Sequence, residues 1–248
     1  MLAVDLFHIY CIEMFDAVSY WIKRYEEGQG EYQPSYSKKS ADLRFETIFR
    51  AYDRCINCLG IDLVDQEVLD VGCGRGFLTE YFISRGVKVS VVDLSEKAIS
   101  FVKQKHPEIR DFTGRITEID FSDESFDIVH CAEVLFHVLE DKEWRESIDR
   151  LCSLSRKYVF LKERFTDSPK KTALPHVKPR RCGSYISQMG KNGFKKIHTQ
   201  ATQYLGWFPL SKGYVLAPKV INNLDRILIN LSTPIFLSSN QLKIFEKM

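Results

Sequence analysis

The chain predicts a doubly wound α/β fold, a mostly parallel sheet with helices on both faces. Three observations carry this. Strand-like segments alternate with segments of helical periodicity along most of the chain. The apolar run Val68-Leu69-Asp70-Val71 breaks into glycines at 72, 74 and 76 ahead of a helical stretch, which reads as a buried parallel strand turning into a helix. A second run, Val87 to Val92, ends on Asp93, seventeen residues after Gly76, where such folds place a ribose-binding carboxylate.

The elements follow in order. Residues 1–25 read as helical, and 26–40 as a polar loop with two tyrosines and Pro34, together an N-terminal cap and a lid. Residues 41–248 read as the main domain. It opens with an amphipathic helix over 41–59, where Leu43, Ile48, Tyr52, Ile56 and Leu59 recur at helical spacing. The helix from Phe77 to Ser84 stops at Gly86, a left-handed cap. Ser95 caps a helix over Glu96 to Lys105, and Pro107 ends it. Further strands are expected at Arg115–Ile119, Phe126–Cys131 and Tyr158–Lys162, with a helix over Asp141–Ser153. A helix over Arg181–Lys191 and a long strand over Phe194–Leu205 follow. A helical insertion over 217–235 precedes a last antiparallel strand at Leu242–Phe245. Val220, Ile221, Leu224, Ile227, Leu228 and Leu231 share one face of that insertion, suited to covering the sheet or docking a partner.

At 248 residues the chain can bury a full core as one domain with additions. Its formal net charge of +2, with dispersed lysines and arginines, gives no basis for a DNA partner. Seven scattered cysteines suit free thiols in a reducing compartment, and hence the cytoplasm. Cys55-Ile56-Asn57-Cys58 is a lone pair without a second at zinc-ligand spacing, so no metal is expected. Met1 to Phe15 is too short and too charged to span a membrane and lacks a basic leader.

The spelling of the glycine turn separates cofactors. A dinucleotide fingerprint would need glycine at 77, where Phe77 stands, and no Lys-Ser/Thr pair follows for a phosphate loop. The pattern G-x-G-x-G resembles that of class I methyltransferases that use S-adenosylmethionine. So do Asp93-Leu94-Ser95, the run from Phe121 through Phe126-Asp127-Ile128-Val129, and the stretch from Glu133 through His137-Val138, together spanning roughly residues 65–165. Tyr20-Trp21, Arg24 and Tyr25 ahead of the loop resemble the N-terminal cap of small-molecule and glycan members of that family. The resemblance implies a seven-stranded Rossmann-like sheet, S-adenosylmethionine as cofactor, and a small-molecule or glycan acceptor.

It also implies roles for particular residues. Gly72, Cys73, Gly74 and Gly76 would shape the turn against the cofactor's methionine part, with Asp70 orienting the turn and, directly or through water, the cofactor's amino group. Asp93 would take the ribose hydroxyls beside Leu94. Relatives carry an aspartate after the glycine of the third strand; here Arg115 follows Gly114, so Ile116 and Thr117 are the expected adenine contacts. Cys131 and Ala132 would supply a carbonyl, and Tyr20, Trp21, Arg24 and Tyr25 would roof the site.

Transfer from a sulfonium chiefly needs alignment, and a base matters when the acceptor is a hydroxyl. His137, expected to open a helix beside the methyl end, is the candidate, with His176 and Glu163 behind it. No Asn/Asp-Pro-Pro-aromatic run and no Pro-Cys pair follow the fourth strand, which argues against nucleobase amino groups and pyrimidine carbon-5. The expectation is O-methylation of a small molecule or glycan. A protein or RNA methyltransferase is the nearer alternative, and a non-catalytic cofactor-binding protein the more distant one.

Overall fold

The computed structural model describes residues 15–28, 38–167, 174–203, 223–224, 227 and 240–248. Helices α1 (Ala17–Glu26) and α2 (Lys38–Leu59) precede an alternating run: β1 (Glu67–Val71), α3 (Phe77–Ile83), β2 (Lys88–Asp93), α4 (Glu96–Lys103) and β3 (Arg110–Thr113). Then come β4 (Phe126–Ala132), α5 (Asp141–Leu154), β5 (Ser155–Arg164), α6 (Cys182–Lys191), β6 (Phe194–Gln203) and β7 (Asn240–Lys247). The strands form one sheet in the order β3-β2-β1-β4-β5-β7-β6. β1 pairs in parallel with β2 and β4, and β7 runs antiparallel between β5 and β6.

Successive residues of a strand face opposite sides of its sheet, and here both sides are covered. Val68 and Ile128 face α2 and α3, packing with Ile48, Tyr52, Tyr81 and Phe82. Leu69 and Val129 face the other way, with Leu151 and Trp144 of α5 and Tyr185 of α6. Burial on both sides explains why β1 and β4 read as continuous apolar runs.

A wholly buried polar chain ties the first layer together. The Asp70 carboxylate accepts from Thr79 Oγ1 at 2.6 Å and from His130 Nδ1 at 2.8 Å. In that tautomer His130 Nε2 accepts from the Tyr52 hydroxyl at 2.7 Å. One network thus joins α3, β1, β4 and α2, and each buried polar group has the partner its burial requires.

The third strand is not where the β-branched run Arg115–Ile119 places it. β3 is Arg110–Thr113, registered Ser90↔Arg110 to Asp93↔Thr113 against β2. Residues Ile116–Glu118 instead form a 3-10 turn, which Gly114 allows by leaving the strand at φ 154°. Ile116 and Ile119 are apolar because this turn presses them into the core. Other boundaries move less: α2 starts at Lys38, β5 lengthens to Ser155–Arg164, and β7 to Asn240–Lys247. Cys55 is buried and Cys58 exposed, both as free thiols. Most of the loop over 26–40 and of the insertion over 217–235 lies outside the described residues. Of the apolar stripe only Leu224 and Ile227 are described, both exposed.

Candidate functional site

A cavity of about 940 Å³ opens at the carboxyl ends of the parallel strands, where doubly wound sheets place their ligands. Val71, Asp93, Ala132 and Arg164 line it from the ends of β1, β2, β4 and β5, and α1 closes its top.

The glycine turn is built for close approach. Gly72 and Gly74 have φ of 73° and 54°, the left-handed region that other residues rarely enter. A Cβ on Gly72 would lie 2.2 Å from Val134 Cγ2, and one on Gly74 would lie 2.7 Å from the Tyr25 hydroxyl. The turn does not hold out all its N–H groups to a ligand, as a helix N-terminus would. Gly72 N and Cys73 N both donate to Val92 O, at 2.7 and 3.1 Å, and Gly74 N donates to Asp93 Oδ2 at 2.9 Å. Gly76, with φ 78°, starts α3 beneath Val102 and lies off the cavity wall.

Asp93 is fixed by two backbone donors, Gly74 N and Ser95 N at 3.0 Å, one on each oxygen. Burial raises its carboxyl to about 6, an effect these bonds partly offset. Each carboxylate oxygen keeps a second lone pair for a ligand hydroxyl. Leu94, Gly114, Arg115 and Ile116 extend the wall beyond it. Thr117 and Cys131 do not reach the wall. Thr117 sits within the 3-10 turn, and Cys131 lies in the core with its thiol pushed up by burial. Asp70 reaches the wall, and its two oxygens accept from Thr79 and His130, which brace it at the sheet end beneath the turn. Arg115 pairs with Glu143 at 2.5 Å, also at the wall.

Helix α1 lies against the cavity. Asp16 caps α1 by accepting from Val18 N and Ser19 N at 3.0 and 3.1 Å. The helix has no buried residue, and ten residues alone are marginal in water, so it depends on what it leans against. Tyr20, Trp21, Arg24 and Tyr25 all face the cavity. Tyr20 stacks on His176 at 4.7 Å, and Trp21 meets the His137 ring edge-on at 4.6 Å. Burial next to Asp93 raises the Tyr25 hydroxyl well above the usual tyrosine value. Trp21 Nε1 is buried at the wall with no partner among the described residues.

His137 does not open a helix. It ends a 3-10 turn over Leu135–His137, four residues ahead of α5. Its Nδ1 lies 2.6 Å from the His176 carbonyl oxygen, which can only accept, so Nδ1 carries the proton and Nε2 the lone pair. Burial lowers the imidazole to about 4, which keeps it neutral at physiological pH. His176 lines the cavity beside it, and burial lowers it too. Glu163 lies behind the wall, wholly buried, and does not contact the cavity.

Several features have no sequence signal, because distant segments make them. Glu133, at a left-handed φ of 58° just past β4, forms an ion pair with buried Lys162 of β5. Arg180 is buried and bonds to the carbonyls of Leu135, Val138 and Leu139.

A family model for the methyltransferase domain matches residues 68–157, the stretch from β1 to the start of β5. Over that stretch the chain is similar to the methyltransferase domain. A ubiquinone biosynthesis O-methyltransferase from Alkalilimnicola ehrlichii is 32% identical over 136 residues, 53% of this chain and 50% of the relative. The chain thus spans about half the length of that relative. Among solved structures, magnesium protoporphyrin IX methyltransferase from Synechocystis with bound S-adenosylmethionine superposes with a TM-score of 0.64 at 18% identity, over 94% of this chain and 98% of that one. A Burkholderia thailandensis 1,6-didemethyltoxoflavin-N1-methyltransferase gives 0.63 at 16%, over 93% and 87%. At these identities the likeness concerns the methyltransferase fold, and it does not choose between oxygen and nitrogen as acceptor.

Proposed function

We propose that the protein transfers a methyl group from S-adenosylmethionine to a hydroxyl oxygen of a small molecule. The cavity suits that cofactor on its own chemistry. Asp93 is a half-buried, pre-oriented acceptor for a ribose diol, and Gly72 and Gly74 line the same cavity wall. Trp21 Nε1 offers an unsatisfied donor at the same wall, and a buried orphan donor favours a polar ligand. The bound cofactor supplies an activated methyl group on sulfur. The chain supplies placement, and alignment of this kind is worth about 7–11 kcal/mol of barrier.

The observation that carries the choice of oxygen is the tautomer of His137. With Nδ1–H given to the His176 carbonyl, Nε2 is the basic nitrogen and can take the proton a hydroxyl sheds as it is methylated. The O-methyltransferase relative supports the same choice. A small acceptor is favoured over a protein or RNA because α1 roofs the cavity. A glycan would have to be compact enough to enter beneath that roof. Residues 1–40 then act as cap and lid, and the six described cysteines, all free, suit a cytoplasmic setting. Among the described residues no helix is long and apolar enough to cross a membrane.

The test is a screen of small phenols, alcohols and amines with labelled cofactor, using wild-type and His137→Ala protein. Methylated hydroxyl products are expected, with turnover down about 10²–10⁴-fold in the variant and cofactor affinity kept. Products methylated only at amines, or a variant as fast as wild type, would contradict the reading.

A further inference from the structure

Residues 134–139 carry His137, yet only three of them form a turn of 3-10 helix. Side chains far away in sequence complete their backbone hydrogen bonds. Glu163 Oε1 accepts from Val134 N at 3.0 Å and Leu135 N at 2.8 Å, N–H groups at the start of a helical turn that have no partner within it. Arg180 takes carbonyls of the same segment: Leu135 O at 3.3 Å, Val138 O at 2.8 Å and Leu139 O at 3.2 Å. Asp141 orients the guanidinium, accepting from Nε and Nη2 at 3.1 Å each, and the Trp144 ring lies 4.8 Å beneath it.

We propose that Glu163 and Arg180 are positioning residues for methyl transfer, holding segment 134–139 from both sides so that His137 keeps its place against the glycine turn. Neither residue lines the cavity, so neither touches substrate or cofactor. Glu163 Oε2 is buried with no partner among the described residues, which leaves the grip on Val134 and Leu135 as the carboxyl's evident purpose. The same segment touches the cofactor side, since Val134 packs where a Cβ on Gly72 would stand. Clamping 134–139 therefore sets the separation between the sulfonium and the base. A displacement of about 1 Å in such an arrangement costs about 10²-fold in rate.

The proposal rests on the reading of His137 as the base. Its test combines kinetics with nitrogen NMR of the His137 ring in the full chain. In Glu163→Leu, cofactor affinity is expected to stay within about threefold while kcat falls about 10–100-fold. The ring should also lose its wild-type Nδ1–H signal. Glu163→Gln keeps an oxygen for the two N–H groups and is expected to restore both readouts. Arg180→Met should reproduce the Leu phenotype. In a His137→Ala background, Glu163→Leu should cost nothing further, because the effect passes through the imidazole. If the Leu variant does not fold, Glu163→Asp, too short to reach, is read in its place. Wild-type kcat and ring signal in Glu163→Leu, no restoration by Gln, or an additive loss without His137 would overturn the proposal. A wild-type protein that methylates no hydroxyl would end the base reading, while the ring signals would still show whether Glu163 and Arg180 hold His137.

Discussion

Replacing Gly72 with alanine tests the link between the glycine turn and the loop that carries the base. Two separate costs follow from the geometry. At φ 73° an L-residue meets its own carbonyl, worth about 1–2 kcal/mol. The new methyl would also lie 2.2 Å from Val134 Cγ2, and overpacking of this kind costs about 1–3 kcal/mol. Together they predict a loss of about 2–5 kcal/mol, read as a lower urea midpoint with an unchanged slope. The two parts can be separated. Adding Val134→Ala removes the clash but not the backbone strain, so the double variant should recover the packing part alone. A double-mutant cycle should then give a favourable coupling of about 1–3 kcal/mol. Negligible destabilisation by Gly72→Ala would refute the strained turn. Additive costs in the double variant would refute the packing of Val134 on Gly72.

Other outcomes are expected at the same site. Asp93→Ala should weaken cofactor binding more than tenfold by calorimetry, the loss of a charge-assisted bond worth about 1.5–3 kcal/mol. Burial raises Asp93 to about 6, so wild-type affinity should fall as pH drops through 6 and the carboxylate takes up a proton. His137 has the opposite sign of stability linkage. Its folded value near 4 lies below the unfolded 6.5, so the stability of its neutral form is full above 6.5 and is lost as pH falls through 4. The acid limb of the rate should accordingly lie nearer pH 4 than the pH 6 an exposed histidine would give. His137→Ala should flatten the stability slope between pH 4 and 6.5. Saturating cofactor should slow protease cutting between residues 20 and 40 if α1 and the segment after it close over the ligand; equal rates would mark that stretch as a linker.

The sequence by itself determined the features that are local. Burial on both faces writes a strand as an apolar run, so β1, β2 and β4 and the doubly wound order were legible. The turn at 72–76 was legible because positive φ selects glycine, and Asp93 because a strand end fixes its place. The α1 aromatics and Arg24 were legible as a cluster, and the structure brings all four residues to the cavity. Tertiary structure decided whatever depends on which distant groups meet. The run at 115–119 has the β-branched content of a strand, but pairing with β2 takes Arg110–Thr113, and Ile116 and Ile119 are buried from a turn instead. Asp70 is legible as a strand-end acid, but its bond to His130, sixty positions away, is made only by the fold. His137 was visible as a histidine near the end of β4. Its tautomer comes from a carbonyl thirty-nine residues on, and its setting from a buried acid and a buried arginine whose positions only the fold sets.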